Sequence, residues 1–189
     1  MANYIDTQVV VTGPAESISS FKSSFIIIEK DGSYEFTFQN LVPIPPELGH
    51  LLWHEDEMYR WYMENWGCNG PCEPCGPSRI EETDGKLILY FSTMWNAPFN
   101  FFDTIRFQFP DLTFRVASHD VCDPGTEGAA IFCNEISEWL PMNVFEGDEM
   151  IDEIIMRFDG DVYSLKTEEV FNCWDYFNVK ERRCELFIR

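Results

Sequence analysis

Basic residues are scarce in this chain: 13 Lys and Arg stand against 33 Asp and Glu, for a formal net charge of −20 over 189 residues. Proteins that grip DNA, RNA or an anionic membrane do so with clustered Lys and Arg, so direct binding to those polyanions is not expected. Histidine is scarcer still, at three residues. There is no uninterrupted apolar run of about 18 residues, the length a membrane-crossing helix needs. No basic stretch followed by an apolar one opens the sequence, so an export signal is not expected and the chain reads as cytoplasmic. Phosphate loops, dinucleotide fingerprints and Gly-x-Ser-x-Gly elbows are all missing. The expectation is a protein that is not an enzyme.

Aromatic and apolar residues, by contrast, are plentiful: 45% of the chain is hydrophobic and 16% aromatic, with 17 Phe. That is ample material for one core with an appended segment. Seven cysteines, an odd number, read in a cytoplasmic chain as reduced thiols or metal ligands rather than as a disulfide framework.

Periodicity gives the order of elements. Val9 and Val11 alternate with Val10 in a strand over 4–12 closed by Gly13, and Pro14 opens a helix over 15–25 with Ile18, Phe21 and Phe25 inward. Tyr34, Phe36 and Phe38 alternate with Glu35, Thr37 and Gln39, which predicts a strand over 33–40 with one buried face. Pro43, Pro45 and Pro46 then start a long connection. Met58, Trp61, Tyr62 and Trp66 fall at helical spacing, ending at Gly67, and 68–77 is a Gly/Pro/Cys loop. The apolar run Lys86–Phe91 predicts an internal strand over 86–93, and Phe101, Phe102, Ile105 and Phe109 a helix over 99–109. Leu112, Phe114 and Val116 mark a strand over 112–118, and Gly128–Cys133 an added edge strand. Setting aside an insertion near 43–82 leaves a β-α-β-β-α-β order, hence an α+β, ferredoxin-like antiparallel sheet with both helices on one face, spanning 1–133. Residues 134–189 read as an acidic, α-rich extension packed on it. In that extension Met150, Ile151, Ile154, Ile155 and Phe158 share one helical face, and a second helix is expected around Thr167–Phe177. Trp66 and Trp95, flanking one loop–strand unit, are both expected to be buried.

Several short blocks carry a family likeness: Asn65-Trp66-Gly67, Phe91-Ser-Thr-Met-Trp95-Asn-Ala-Pro98 and Phe109-Pro-Asp-Leu112, with Met1-Ala-Asn3, Val9-Val-Val-Thr-Gly13 and Leu41-Val-Pro43-Ile-Pro45. In these, residues 1–133 resemble the YubB-like (Api-like) proteins of phages, plasmids and prophages. The chain departs from the family pattern after Asn-Trp-Gly, where Thr-Lys-Trp is replaced by Cys68-Asn69-Gly70. The resemblance implies a ferredoxin-like fold and a mobile-element setting, and no reaction.

Three constellations carry chemistry. Cys68-x3-Cys72-x2-Cys75 places three thiols within eight residues of a Gly/Pro loop, where they could wrap around a metal as a tetrahedral zinc site, with a fourth ligand from His50, His54, His119 or a distant cysteine. The alternative is a rigid loop of free thiols, and an iron–sulfur cluster fits less well because Pro74 precedes the third cysteine. The expectation is no cofactor, with zinc as the alternative. His50 and His54 would share a face if helical, and His119-Asp120 near Cys122 lacks a third partner and an oxyanion segment. The acidic clusters are Glu55-Asp56-Glu57, Glu81-Glu82 with Asp84, and Glu146, Asp148, Glu149, Asp152 and Glu153. Rows of carboxylates can imitate a phosphate backbone and occupy the Lys/Arg groove of a basic partner. The reading is a non-enzymatic inhibitor of a basic, nucleic-acid-handling defence protein in the host cytoplasm. The alternatives are an acidic scaffold without inhibitory action and, last, a zinc-dependent protein.

Overall fold

The β-branched alternation after Tyr4 yields β1 (Tyr4–Thr12), with Ile5, Val9 and Val11 fully buried on one side. The structure is a computed structural model that describes residues 4–28, 30, 34–70, 79–83, 85–120, 128–141, 154–156, 161–164 and 170–172. Gly13, at φ 149, has no room for a side chain: a Cβ would meet Asp111 O at 2.6 Å. The chain then enters α1 (Ala15–Phe25), whose Phe21 and Phe25 are buried. The run Ile26-Ile27-Ile28 ends the helix, because stiff β-branched side chains favour extended backbone, and forms β2 (Ile26–Ile28).

β2 pairs with β3 (Tyr34–Phe36) in a two-stranded ribbon of their own. This corrects the expectation that 33–40 joins the main sheet. Phe36 and Phe38 turn their rings into the core instead: Phe36 lies 5.2 Å from Phe91 and Phe38 4.4 Å from Phe101. The place expected for them beside β5 (Lys86–Met94) is taken by β4 (Arg79–Thr83), joined to it by a short hairpin with Gly85 at φ +76. A neighbouring segment closes with a smaller loop than a distant one, which favours the hairpin. β4 is polar, RIEET, as suits an exposed edge that must not recruit another strand.

After β5, Pro98 leads into α3 (Phe99–Ile105), and β6 (Thr113–Asp120) follows. β7 (Gly128–Cys133) and β8 (Ile136–Pro141) extend the sheet through a hairpin, giving the order β4-β5-β1-β6-β7-β8 with every neighbour antiparallel. β5 is thus internal, as its apolar run predicts, whereas β7 is covered by β8 and is no edge. Phe21 of α1 and Phe102 of α3 both meet Phe114 of β6, at 5.2 and 5.5 Å, so the two helices lie on the same face of the sheet. α2 (Asp56–Asn65) adds Met58 and Tyr62 to that same core.

The opposite face mixes polar and apolar residues and is still buried at its centre. Gln8 donates to the Tyr90 hydroxyl at 3.2 Å, the Arg79 guanidinium lies 4.0 Å over the Tyr90 ring, and Ser92 donates to Asp6 at 2.7 Å. In the C-terminal region, β9 (Ile154–Met156), β10 (Asp161–Ser164) and β11 (Val170–Asn172) form a three-stranded antiparallel sheet, with β9 beside β6. Ile154 and Ile155, expected on a helix, are therefore in a strand, and Val170–Asn172 replaces part of the expected second helix. A short β-branched apolar run satisfies either pattern, and periodicity does not separate them. The described structure is an α+β protein with a mostly antiparallel sheet and three helices.

The two tryptophans expected to be buried differ. Trp66 is 1% exposed, donates Nε1–H to Val42 O at 3.0 Å and packs on Phe38, Trp61 and Tyr62. Trp95 is 46% exposed with φ 70, a left-handed conformation that a bulky residue rarely adopts. β5 ends at Met94, and the turn that follows, with Asn96 N–H on Met94 O and the Thr93 hydroxyl on Asn96 O, swings Trp95 outward. In urea denaturation, Trp66→Ala should cost about 3–5 kcal/mol. Trp95→Gly, which removes the backbone strain along with the ring, should cost under about 1 kcal/mol. Equal losses for the two would contradict this assignment.

Candidate interaction surface

The segment leading into α2 is built by consecutive turns after the prolines: Leu48 N–H bonds Pro45 O, Leu51 N–H bonds Leu48 O, and Glu55 N–H bonds Leu52 O. Glu55 closes the last turn twice over. Its Oε1 accepts from Leu52 N–H at 2.6 Å, while its carbonyl accepts the Tyr59 N–H at 2.8 Å and starts the helix. His50 and His54 lie in these turns and not on a helix, so the shared helical face that pairing them on a metal would need is not formed.

Because Met58 and Tyr62 face the core, the other side of α2 is presented outward. Tyr59 is 43% exposed, and just before the helix Trp53 is 52% and Leu52 59% exposed. Asp56 and Glu57 occupy the first helical turn, where the backbone N–H groups favour negative charge. Trp53 has its ring edge-on to His54, centroids 5.3 Å apart. Three carboxylates, one of them bonded to Leu52 N–H, two aromatic rings and a leucine thus share one short exposed stretch. The acidic half of it was visible in the sequence. The apolar half was missed, because the helical spacing of Met58, Trp61, Tyr62 and Trp66 draws attention to the buried stripe.

The second acidic cluster is differently placed. Glu81 pairs with Arg79 at 2.9 Å, and Glu82 pairs with Lys22 of α1. Bases of this chain therefore offset both carboxylates on β4. Asp84, Glu146, Asp148, Glu149, Asp152 and Glu153 lie outside the described residues.

Of the cysteine cluster, Cys68 is described and Cys72 and Cys75 are not. The α2 C-terminus sets its position: Gly67 takes φ +82, where a Cβ would stand 3.1–3.3 Å from Asn100 N, Ala97 O and Phe99 N. Asn100 Nδ2 caps the helix by donating to Met63 O at 2.8 Å. Asn69 N–H then bonds Met94 O at 3.0 Å, which tucks Cys68 fully out of solvent, its thiol 3.5 Å from Gly70 O. Burial pushes the Cys68 thiol well above its ordinary value, and Tyr62 is raised too, first by burial and then by the neighbouring Cys68. Among the described residues no three His, Cys, Asp or Glu side chains converge as a metal would require. Cys133, expected as a reduced thiol or metal ligand, is disulfide-bonded. Register places His119 opposite Asp6, whose carboxylate already accepts from Ser92, and Cys122 lies outside the described residues. No helix among the described residues is long and apolar enough to cross a membrane.

Comparison with family models, with curated proteins and with solved structures gives no match.

The buried thiol has a pH signature. Cys68 and Tyr62 both ionise at higher pH in the folded state than in the unfolded one, so their contribution is full below the unfolded thiol value near 9.0 and is lost as pH rises past it. Unfolding free energy should fall between about pH 8 and about pH 10.5, by at most about 1.4 kcal/mol per pH unit for each group. Cys68→Ala should flatten that slope even though the cavity lowers overall stability. A thiolate held by zinc behaves oppositely: chelator would lower the Tm at neutral pH, and that result would establish zinc at Cys68, Cys72 and Cys75.

Proposed function

We propose that this chain is a non-enzymatic acidic protein of a mobile genetic element that binds a basic, nucleic-acid-handling protein of its host cell and keeps nucleic acid off it. The observation that carries this reading is the surplus of 20 negative charges together with carboxylates at Asp56 and Glu57 that stand exposed beside Trp53 and Tyr59. A field of that sign steers a basic partner inward and repels nucleic acid. The mobile-element half rests on the likeness of residues 1–133 to the YubB-like proteins. In the same reading the core is ferredoxin-like, with β4 as its second strand. The order β4-β5-β1-β6, with α1 and α2 between β1 and β4 and α3 between β5 and β6, supports it.

A scaffold without inhibitory action is the second reading, favoured by the pairing of Glu81 with Arg79 and Glu82 with Lys22, which weakens the field over β4. The two part in one experiment. The partner retained by the immobilised protein is purified, and its binding to DNA or RNA is measured with and without this chain. Inhibition requires mutually exclusive binding, with affinity for the chain falling more than about tenfold between about 50 and 300 mM salt. Asp56→Lys with Glu57→Lys should slow association, as should Glu149→Lys, Asp152→Lys and Glu153→Lys together. A stable ternary complex with the nucleic acid would leave the scaffold reading.

A further inference from the structure

Guanidinium-on-ring contacts recur in this fold. Arg79 lies 4.0 Å over Tyr90 and Arg106 lies 4.1 Å over Phe107. In both, the same arginine also holds a carboxylate two or three residues away: Glu81 at 2.9 Å and Asp103 at 2.8 Å. Each combination is a ring beside a carboxylate, filled by the chain's own arginine. Around Trp53 the same ingredients stand open. Trp53 and Tyr59 are half exposed, Asp56 and Glu57 flank them, and among the described residues no cation lies over either ring. His54, next to Trp53, meets that ring edge-on, and Arg60 follows Tyr59 on α2.

We propose that the Leu52–Tyr59 surface docks arginine side chains of a protein partner, each guanidinium stacking on Trp53 or Tyr59 while its N–H groups bind Asp56 or Glu57. This deepens the proposed function and rests on its basic partner. Charge complementarity fixes the sign of the occupant, and the exposed rings select arginine over lysine. A guanidinium is planar and weakly hydrated, so it stacks on a ring and forks onto a carboxylate at once, whereas an ammonium does neither as well. A phosphate backbone is repelled here, and a purely apolar partner would strand both carboxylates.

The test uses the full chain and two fluorescein-labelled octapeptides, alternating Arg-Ser and alternating Lys-Ser, at about 150 mM salt, where surface charge alone is strongly screened. The arginine peptide should bind about fivefold or more tightly than the lysine peptide. Trp53→Ala should abolish that preference, and Trp53→Leu, which keeps apolar area without a ring face, should abolish it as well. Asp56→Asn with Glu57→Gln should weaken both peptides. Phe107→Ala, at a ring already carrying Arg106, should change neither. Circular dichroism confirms folding of each variant. Equal affinity for the two peptides, or a preference that survives both Trp53 substitutions, overturns this docking site and leaves the basic-partner reading standing. Failure of the wild-type chain to bind either peptide overturns both.

Discussion

One ring holds the molecule together. Phe25, the last residue of α1, meets Phe21, Phe36, Phe38, Phe91 and Phe101, with centroids 5.3–6.1 Å away. Those five come from α1, β3, the segment after it, β5 and α3, so elements far apart in sequence converge on a single side chain. Aromatic pairs of this kind add about 0.5–1.5 kcal/mol each beyond the area they bury. Residues 34–38 lie off the six-stranded sheet, and the rings of Phe36 and Phe38 fill the layer beneath the helices.

That placement sets the position of everything between β3 and β4. With Phe38 anchored, Val42 O lies within reach of the Trp66 indole, and the bond between them ties the start of the proline-rich connection to the end of α2. Asn100 of α3 and the left-handed Gly67 lock that same end of the helix. α2 is therefore fixed at its C-terminus and along its Met58–Tyr62 stripe, and residues 52–57 before it and in its first turn are exposed. The acidic and aromatic residues 52–59 are presented by a rigid support, which lowers the conformational cost of binding through them.

The buried face of nearly every element could be read from the sequence, because periodicity reports which residues avoid water. β1, β5, α1 and α3 all follow from the spacing of Val, Leu and Phe. Three features could not be read that way. β4 is polar because it is an edge, so it carries almost no apolar signal, and its pairing is decided by the hairpin at Gly85. Ile154 and Ile155 suit a helix or a strand equally, and pairing with β10 decides between them. Trp95 is bulky and apolar, yet a turn that bonds Asn96 N–H to Met94 O forces it outward, a constraint of backbone geometry that composition does not reveal. The candidate surface divides along the same line. Its carboxylates announce themselves in sequence, whereas Leu52, Trp53 and Tyr59 look like core residues until Met58 and Tyr62 are seen to fill the core side.

The division matters for how such a surface works. An exposed ion pair contributes only about 0–1 kcal/mol, and salt screens it. Carboxylates alone would give fast, salt-sensitive encounters with any basic protein and little to keep the right one. Exposed rings and a leucine supply what charge cannot: apolar area, and a geometry that discriminates between cations, the features that concentrate binding energy at interfaces. Glu81 and Glu82 are already matched by Arg79 within β4 and by Lys22 of α1, so their charge is spent within the fold, the second pair tying β4 to α1. Among the described acids, those at the start of α2 stand beside exposed rings, so in the proposed docking they would join long-range attraction to a short-range anchor.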